Sequence, residues 1–427
     1  MSRASISGCI EVPGDKSMSH RAVLLAALAE GDSRVRGFLR ADDTQRSVEL
    51  VRALGAEVKD VSPTELRIRG RGLRGLREPA NVIDAGNSGT TLRIGAGLLA
   101  GQPFFSTITG DASLRRRPMG RIVAPLQAMG AVVRGRAAGT RAPLTFCGGS
   151  LRGLRVATSV ASAQVKSALL IAGVRGTGEV SVIEPEATRD HTERMLLAMG
   201  ALLLVDGREA RVTPTDELAP LDVDIPGDFS SAAFFVVLAA SVPGSELRVR
   251  RVGTNPTRTG LVEVLRRMGA TIVFEESGSA TGEPCADLVV RGGELRATNV
   301  VANEVPRMID ELPALCVAAA FAKGRTEIQG ASELRFKESN RIVAMVEALR
   351  ALGIPAGELA DGLWIEGPAT LRAGVRCETH DDHRVAMALA TLGAAGGIDV
   401  ELSETASVAT SFPDFFETLR RIAGARG

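Results

Sequence analysis

The stretch Leu265-Arg266-Arg267-Met268-Gly269-Ala270-Thr271-Ile272-Val273-Phe274 changes character at one residue. Before Gly269 the pattern is amphipathic and helical; after it the residues are β-formers. A glycine directly after a helical run takes the left-handed conformation at little cost, so the spacing predicts a helix closed at Gly269 and a strand beyond it. Similar runs end at Gly55, Gly130, Gly200, Gly353 and Gly424, with successive glycines 69 to 84 residues apart. Self-similarity of this kind signals a repeated supersecondary unit.

A second helix type alternates with the first. Its copies begin near Lys16, Asn87, Ser162, Asp228, Pro306 and Asp381, each opening on small or polar residues and continuing as an apolar run, as in Asp228-Phe229-Ser230-Ser231-Ala232-Ala233-Phe234-Phe235-Val236-Val237. Polar openings supply caps, and bodies apolar on most faces belong inside a core. The chain therefore reads as an α/β protein of six repeats, each with two helices and intervening strands. Pro13-Gly14-Asp15 and Pro226-Gly227-Asp228 bracket three of the repeats. They predict two crossings between a domain of residues 15–227 and one made of 1–14 and 228–427.

Composition narrows the function. A chain of 427 residues is too long for a single core, and Lys+Arg 51 against Asp+Glu 50 leaves no global basic field for nucleic acid or anionic membrane. Aromatic residues are 3% of the chain, with one Trp and no Tyr, which disfavours base-stacking surfaces. The five scattered cysteines read as reduced thiols filling the core, Cys316 above all. The segment Met1–Ser7 lacks the apolar region of a secretory leader, and no apolar run approaches membrane-spanning length. A cytoplasmic protein without membrane or nucleic-acid partners is expected.

Polar exceptions in the apolar helices gather at their starts, where unpaired backbone N–H groups favour anions. They are Lys16, Ser17 and Arg21; Asn87, Ser88, Gly89 and Thr90; Ser162 and Gln164; Asp310, expected inside the fifth buried helix; and Arg384. The amphipathic helices add Arg117, Arg189, Lys337, Glu338 and Arg341 near their own starts. Seven of these residues are cations and two, Asp310 and Glu338, are acids. Such an excess in a nearly neutral chain calls for bound anions, and two phosphates with two carboxylates would nearly balance it. His380-Asp381-Asp382-His383 offers metal-ligand types, but it directly precedes an apolar helix and its acids serve as caps, so no metal is expected.

Gly14-Asp15-Lys16-Ser17-Met18-Ser19-His20-Arg21, Gly86-Asn87-Ser88-Gly89-Thr90-Thr91-Leu92-Arg93, Ser113–Arg117, Ser162-Ala163-Gln164, Asp310-Glu311-Leu312-Pro313, Lys337-Glu338-Ser339-Asn340-Arg341 and Asp381-Asp382-His383-Arg384 together resemble the enolpyruvyl transferase family, specifically its EPSP synthase (3-phosphoshikimate 1-carboxyvinyltransferase) branch. The resemblance covers essentially the whole chain. It implies two inside-out α/β barrel domains, each of three βαβαββ units, with helix N-termini facing an interdomain active-site cleft. It implies transfer of the enolpyruvyl group of phosphoenolpyruvate to shikimate 3-phosphate by addition and elimination, within chorismate and aromatic amino acid biosynthesis. By the same resemblance, shikimate 3-phosphate would contact Lys16, Ser17, Arg21, Ser162, Gln164, Arg189, Asp310 and Lys337. Phosphoenolpyruvate would contact Lys16, Asn87, Gly89, Thr90, Arg117, Gln164, Arg341 and Arg384. Asp310 would be the general base, with Glu338 or Lys16 as the acid. No metal or organic cofactor is implied, the partners are small anionic substrates, and a monomer is expected.

Two departures stand out. Ala163 replaces a second Ser, and Thr410 stands where the better-known branch carries Lys; Arg189 instead matches a second branch of the same enzymes. The alternatives are UDP-N-acetylglucosamine enolpyruvyl transferase, which uses a Cys near Leu114–Arg117 where this chain has arginines; an RNA 3′-phosphate cyclase-like protein; and a non-catalytic phosphosugar sensor. The near-zero net charge opposes the second, and the presence of both Asp310 and Glu338 opposes the third.

Overall fold

The computed structural model describes residues 5–280 and 282–424. Met1–Ala4, part of the stretch read above for a leader, lie outside the described residues. Its helices are α1 (Lys16–Ala26), α2 (Asp42–Ala53), α3 (Gly89–Leu99), α4 (Gly120–Ala128), α5 (Ala163–Gly173), α6 (His191–Ala198), α7 (Phe229–Ser241), α8 (Gly260–Arg267), α9 (Leu312–Phe321), α10 (Arg341–Ala351), α11 (His383–Gly396) and α12 (Phe415–Ala423). The odd-numbered helices are the apolar type and the even-numbered ones the amphipathic type. All six glycines of the repeat signature have positive φ, from 77° to 106°, so they end their helices in the backbone region that Gly enters most cheaply.

One repeat shows the plan. Strand Ile83–Asp84, α3, strand Phe105–Thr109, α4, and strands Val133–Arg136 and Arg141–Cys147 follow in order. Ile83–Asp84 pairs parallel with Phe105–Thr109, Arg141–Cys147 lies antiparallel beyond it, and Val133–Arg136 forms the edge. This is a βαβαββ unit, and residues 154–212 repeat it. In the repeat built on α1 and α2 the first strand comes from far along the chain, because Asp222–Asp224 pairs parallel with Asp32–Arg36. Likewise Ser7–Glu11 pairs parallel with Glu246–Gly253 beside α7. The sixth repeat differs from the expected plan: after Arg376–Cys377, α11, Glu401–Leu402 and α12, the described residues end without a closing hairpin.

Cα proximity divides the chain into two units. One comprises Met1–Pro13, Pro226–Gly278 and Pro284–Gly427; the other comprises Gly14–Ile225 and Ser279–Glu283. The strand borrowing explains the divisions after Pro13 and Ile225, since each unit completes its first sheet with a strand next to a division. We call them the C-terminal and N-terminal units.

Within each unit the apolar helices lie inside and the sheets lie outside. In the N-terminal unit α3 packs on both α1 and α5; in the C-terminal unit α7, α9 and α11 pack mutually. The strands alternate, as Arg141–Cys147 does between buried and outward residues, so each sheet covers the helices with one face. The approach of α3 to α5 depends on Gly97, where a Cβ would lie 2.2 Å from the Ala168 carbonyl oxygen. In the C-terminal unit Phe234, Phe235, Phe412 and Phe415 form an aromatic group with centroids 5.4–5.8 Å apart, three of its pairs edge-to-face and Phe235–Phe415 tilted. Cys316 and Cys377 are buried as expected, but Cys9 and Cys147 are exposed and Cys285 is partly so. Cys9 and Cys147 point outward because alternation along Ser7–Glu11 and Arg141–Cys147 turns them away from the helices.

Candidate active site

In the N-terminal unit the starts of α1, α3 and α5 carry a connected polar network. Asp15 caps α1, its carboxylate accepting from the Met18 N–H at 2.8 Å, and this presents Lys16 and Ser17 at the helix tip. Lys16 Nζ pairs with Asp43 Oδ2 at 3.0 Å. Arg21 lies inside the unit: Nε donates to Thr192 Oγ1 at 2.9 Å, Nη2 to Ser167 Oγ at 3.1 Å, and Nη1 to the Ser17 carbonyl at 3.0 Å. Arg189, from the loop before α6, donates through Nη1 to Ser17 Oγ at 3.1 Å. Beneath Lys16, His20 Nδ1 bonds Ser47 Oγ at 2.8 Å, and Ser47 shares a hydrogen bond with Thr91. Burial first, then Lys16 and Arg21, push the His20 pKa well below its usual value, so the ring is neutral and structural.

The tips of α3 and α5 are laced together. Gln164 accepts from Arg93 Nη1 at 2.8 Å and donates to Thr90 Oγ1 at 3.0 Å, which fixes both ends of its amide. Arg117 donates through Nη2 to Asn87 Oδ1 at 2.5 Å and through Nη1 to the Asn87 carbonyl at 3.3 Å, while Asn87 Nδ2 donates to Asp111 at 2.7 Å. Gly89 faces these guanidiniums: a Cβ there would lie 3.3 Å from Nη1 of both Arg117 and Arg93. Ser162 stands at the cap position of α5, but its side chain makes no cap hydrogen bond.

In the C-terminal unit the cations and acids interlock. Arg341, at the start of α10, is fully buried; Nε donates to Asp382 Oδ2 at 2.8 Å and Nη2 to Glu338 Oε2 at 2.7 Å. Asp382 also accepts from Ser339 Oγ at 3.0 Å and caps α11 through the Arg384 N–H at 2.9 Å. Burial opposes charge on Arg341, yet Asp382 and Glu338 outweigh it and raise its pKa. Burial likewise works against the Asp382 carboxylate, but Arg341 holds it below the usual range, with Glu338 opposing. Asp310 faces three cations: Lys337 Nζ at 3.3 Å, Arg341 Nη1 at 3.5 Å and Arg384 Nη2 at 3.9 Å. Arg384 Nη1 also donates to the Asp310 carbonyl at 3.2 Å.

The structure changes several expectations. The fifth buried helix starts at Leu312 instead of near Pro306, because a 3₁₀ turn, Val305–Arg307, precedes it. Asp310 therefore lies in the loop before α9, two residues outside the helix. Sequence reasoning missed Arg93, Asp43 and Asp382 as site groups. Arg93, a lone charge in an apolar helix four residues after Gly89, carried a readable signal; Asp43 had none, since only tertiary packing brings α2 beside α1. These additions redistribute the charge. In the N-terminal unit Lys16 pairs with Asp43, and Arg21, Arg93, Arg117 and Arg189 donate to neutral oxygens at the same helix starts, whereas in the C-terminal unit Lys337, Arg341 and Arg384 face Asp310, Glu338 and Asp382.

Thr410 supplies no substitute for a lysine, since its hydroxyl donates to the Ser407 carbonyl at 2.7 Å. Among the described residues one group has metal-ligand types in reach of one another, namely Asp190, His191 and Glu283. Arg194 already occupies its surroundings, donating to Asp190 Oδ2 at 2.9 Å and lying 3.9 Å from Glu283, so the protein's own cation balances these acids.

A family model for EPSP synthase (3-phosphoshikimate 1-carboxyvinyltransferase) matches residues 2–419. A protein of that name from Geobacter metallireducens is 48% identical over 98% of this chain and 97% of its own length. One from Desulforudis audaxviator is 49% identical, covering 96% of each. An EPSP synthase structure from Acinetobacter baumannii superposes with a TM-score of 0.86 at 41% identity, over 99% of this chain and 97% of that one. The enolpyruvyl transferase NikO of Streptomyces tendae, at 19% identity and a TM-score of 0.79 over 99% of this chain and 96% of that one, shares the fold.

Proposed function

Because the chain belongs to the EPSP synthase family, we propose that it transfers the enolpyruvyl group of phosphoenolpyruvate to the 5-hydroxyl of shikimate 3-phosphate, releasing phosphate. The carrying observations are the arginines and lysine gathered at the helix starts of the N-terminal unit and, within the C-terminal unit, Asp310 facing Lys337, Arg341 and Arg384. The phosphate of shikimate 3-phosphate goes to the N-terminal unit, held by Arg189, Arg21, Lys16, Ser17 and Ser162, where Arg189 and Arg21 already meet Ser17 at the helix start. Phosphoenolpyruvate goes to Arg117, Asn87, Gly89, Thr90 and Gln164 with Lys16, Arg341 and Arg384; guanidiniums suit its carboxylate and phosphate because they donate in bidentate fashion.

Asp310, oriented by Lys337 and Arg384, accepts the proton of the 5-hydroxyl as its oxygen attacks C2 of phosphoenolpyruvate, while C3 gains a proton and becomes a methyl group. Elimination then breaks the C2–O bond to phosphate and removes one methyl proton, leaving the enol ether and inorganic phosphate. Two groups can deliver the proton to C3: Glu338, held by Arg341 at 2.7 Å, and Lys16, paired with Asp43 at 3.0 Å. Loss of turnover in Glu338→Gln assigns the step to Glu338, and retained turnover assigns it to Lys16. The same reading makes the protein a cytoplasmic monomer that needs no metal, organic cofactor, nucleic acid or membrane. Among the described residues no helix is long and apolar enough to cross a membrane.

The test is phosphate release. Purified protein should release phosphate only when both substrates are supplied; release from phosphoenolpyruvate alone, or none with both, defeats the proposal. Asp310→Ala should lower kcat roughly 10²- to 10⁴-fold, the usual loss for a general base.

A further inference from the structure

Lys166 is the charge the site does not account for. It lies on α5, one turn beyond Ser162 and two residues after Gln164, and is buried. A buried ammonium is costly, and replacing buried ion pairs with apolar residues is often neutral or stabilising, so stability alone explains it poorly. Its partners suggest another task. Nζ lies 2.6 Å from Glu184 Oε2 and 2.7 Å from Glu193 Oε1, and it donates to the Thr188 carbonyl at 3.4 Å. Burial opposes its charge, but Glu193 and Glu184 outweigh that and keep it protonated; burial pushes the Glu193 carboxyl up against the pull of Lys166.

Glu184 opens the loop between strand Val180–Ile183 and α6, and Thr188 lies four residues along it. Thr188 Oγ1 donates to Glu184 Oε1 at 2.5 Å, and its N–H reaches Glu184 Oε2 at 3.4 Å. One carboxylate thus closes the loop on itself, and Lys166 ties the closed loop to α5 and, through Glu193, to α6. The next residue is Arg189, whose guanidinium meets Ser17 at 3.1 Å. We propose that Lys166, Glu184 and Thr188 are positioning residues that hold Arg189 in the geometry that binds the phosphate of shikimate 3-phosphate. They touch no substrate; they act by denying the loop its other conformations, so that little ordering remains to be done on binding. This rests on the function proposed above.

Lys166→Met leaves two buried carboxylates facing each other and can prevent folding, so the decisive variant is Thr188→Val. It keeps the shape and the ion pairs and removes only the hydroxyl that closes the loop. Its KM and calorimetric Kd for shikimate 3-phosphate should rise about 3- to 10-fold, the loss expected from one anchoring hydrogen bond. Its kcat and its KM for phosphoenolpyruvate should stay within about twofold. In an Arg189→Ala background the same substitution should change shikimate 3-phosphate affinity no further, because nothing remains to position. An unchanged affinity in Thr188→Val, or a full effect persisting without Arg189, overturns the proposal. Wild-type phosphate release, measured first, separates the two readings: its absence overturns both, whereas normal release beside an unaffected Thr188→Val overturns the positioning role alone.

Discussion

Asp382 illustrates how much one buried side chain can carry. It caps α11, accepts from Arg341 Nε and Nη2 along one edge of the guanidinium and accepts from Ser339, all without solvent contact. Asp382→Asn should therefore destabilise the protein by roughly 3–5 kcal/mol at neutral pH, as removal of one partner from a buried pair does. The sign of its pH dependence follows from its depressed pKa. The stabilisation is present above the unfolded value, about 3.9, and is lost as pH falls through the lower folded value. In denaturant titrations the gap between wild type and variant should be widest near pH 7 and narrow below about pH 4; an equal gap at pH 3 and pH 7 would contradict the assignment. The sequence showed Asp382 as a cap because His380–His383 precedes an apolar run. Its bond to Arg341, 41 residues away, could not be read there.

At the scale of elements, α3 and α5 place Thr90, Arg93 and Gln164 in one hydrogen-bonded group, and Gly97 sets how closely they can pack. Gly97→Ala would put a methyl group 2.2 Å from the Ala168 carbonyl and force the helices apart. Overpacking of this kind costs about 1–3 kcal/mol, so the melting temperature should fall and KM for both substrates should rise together. Unchanged melting would mean that α5 yields freely. The helices themselves were legible, because capping residues, apolar bodies and closing glycines are local signals. The start of α9 was not. Pro306 and Pro313 both fit a first turn, and only the packing of Leu312 and Leu315 into the core decides which residues continue.

At the scale of the whole molecule, the proposed phosphate site draws its cations, Arg21, Arg189 and Lys16, from the N-terminal unit alone. Shikimate 3-phosphate alone should thus stabilise the protein against heat, by about 2.7 kcal/mol at a hundred times its Kd, and the shift should shrink in Arg189→Ala. Scanning calorimetry in which phosphoenolpyruvate alone stabilises as strongly would contradict this assignment. The amino-acid order by itself determined the six repeats, the alternation of buried and amphipathic helices, and the residue types gathered at helix starts, since capping, periodicity and left-handed glycines act over a few neighbours. Only the tertiary structure decided that Asp222–Asp224 completes a sheet begun at Asp32, that Asp43 meets Lys16, and that Lys166 braces the loop of Arg189. Those partners lie far apart along the chain, and nothing in either local sequence names the other; burial of the shared helices brings them together.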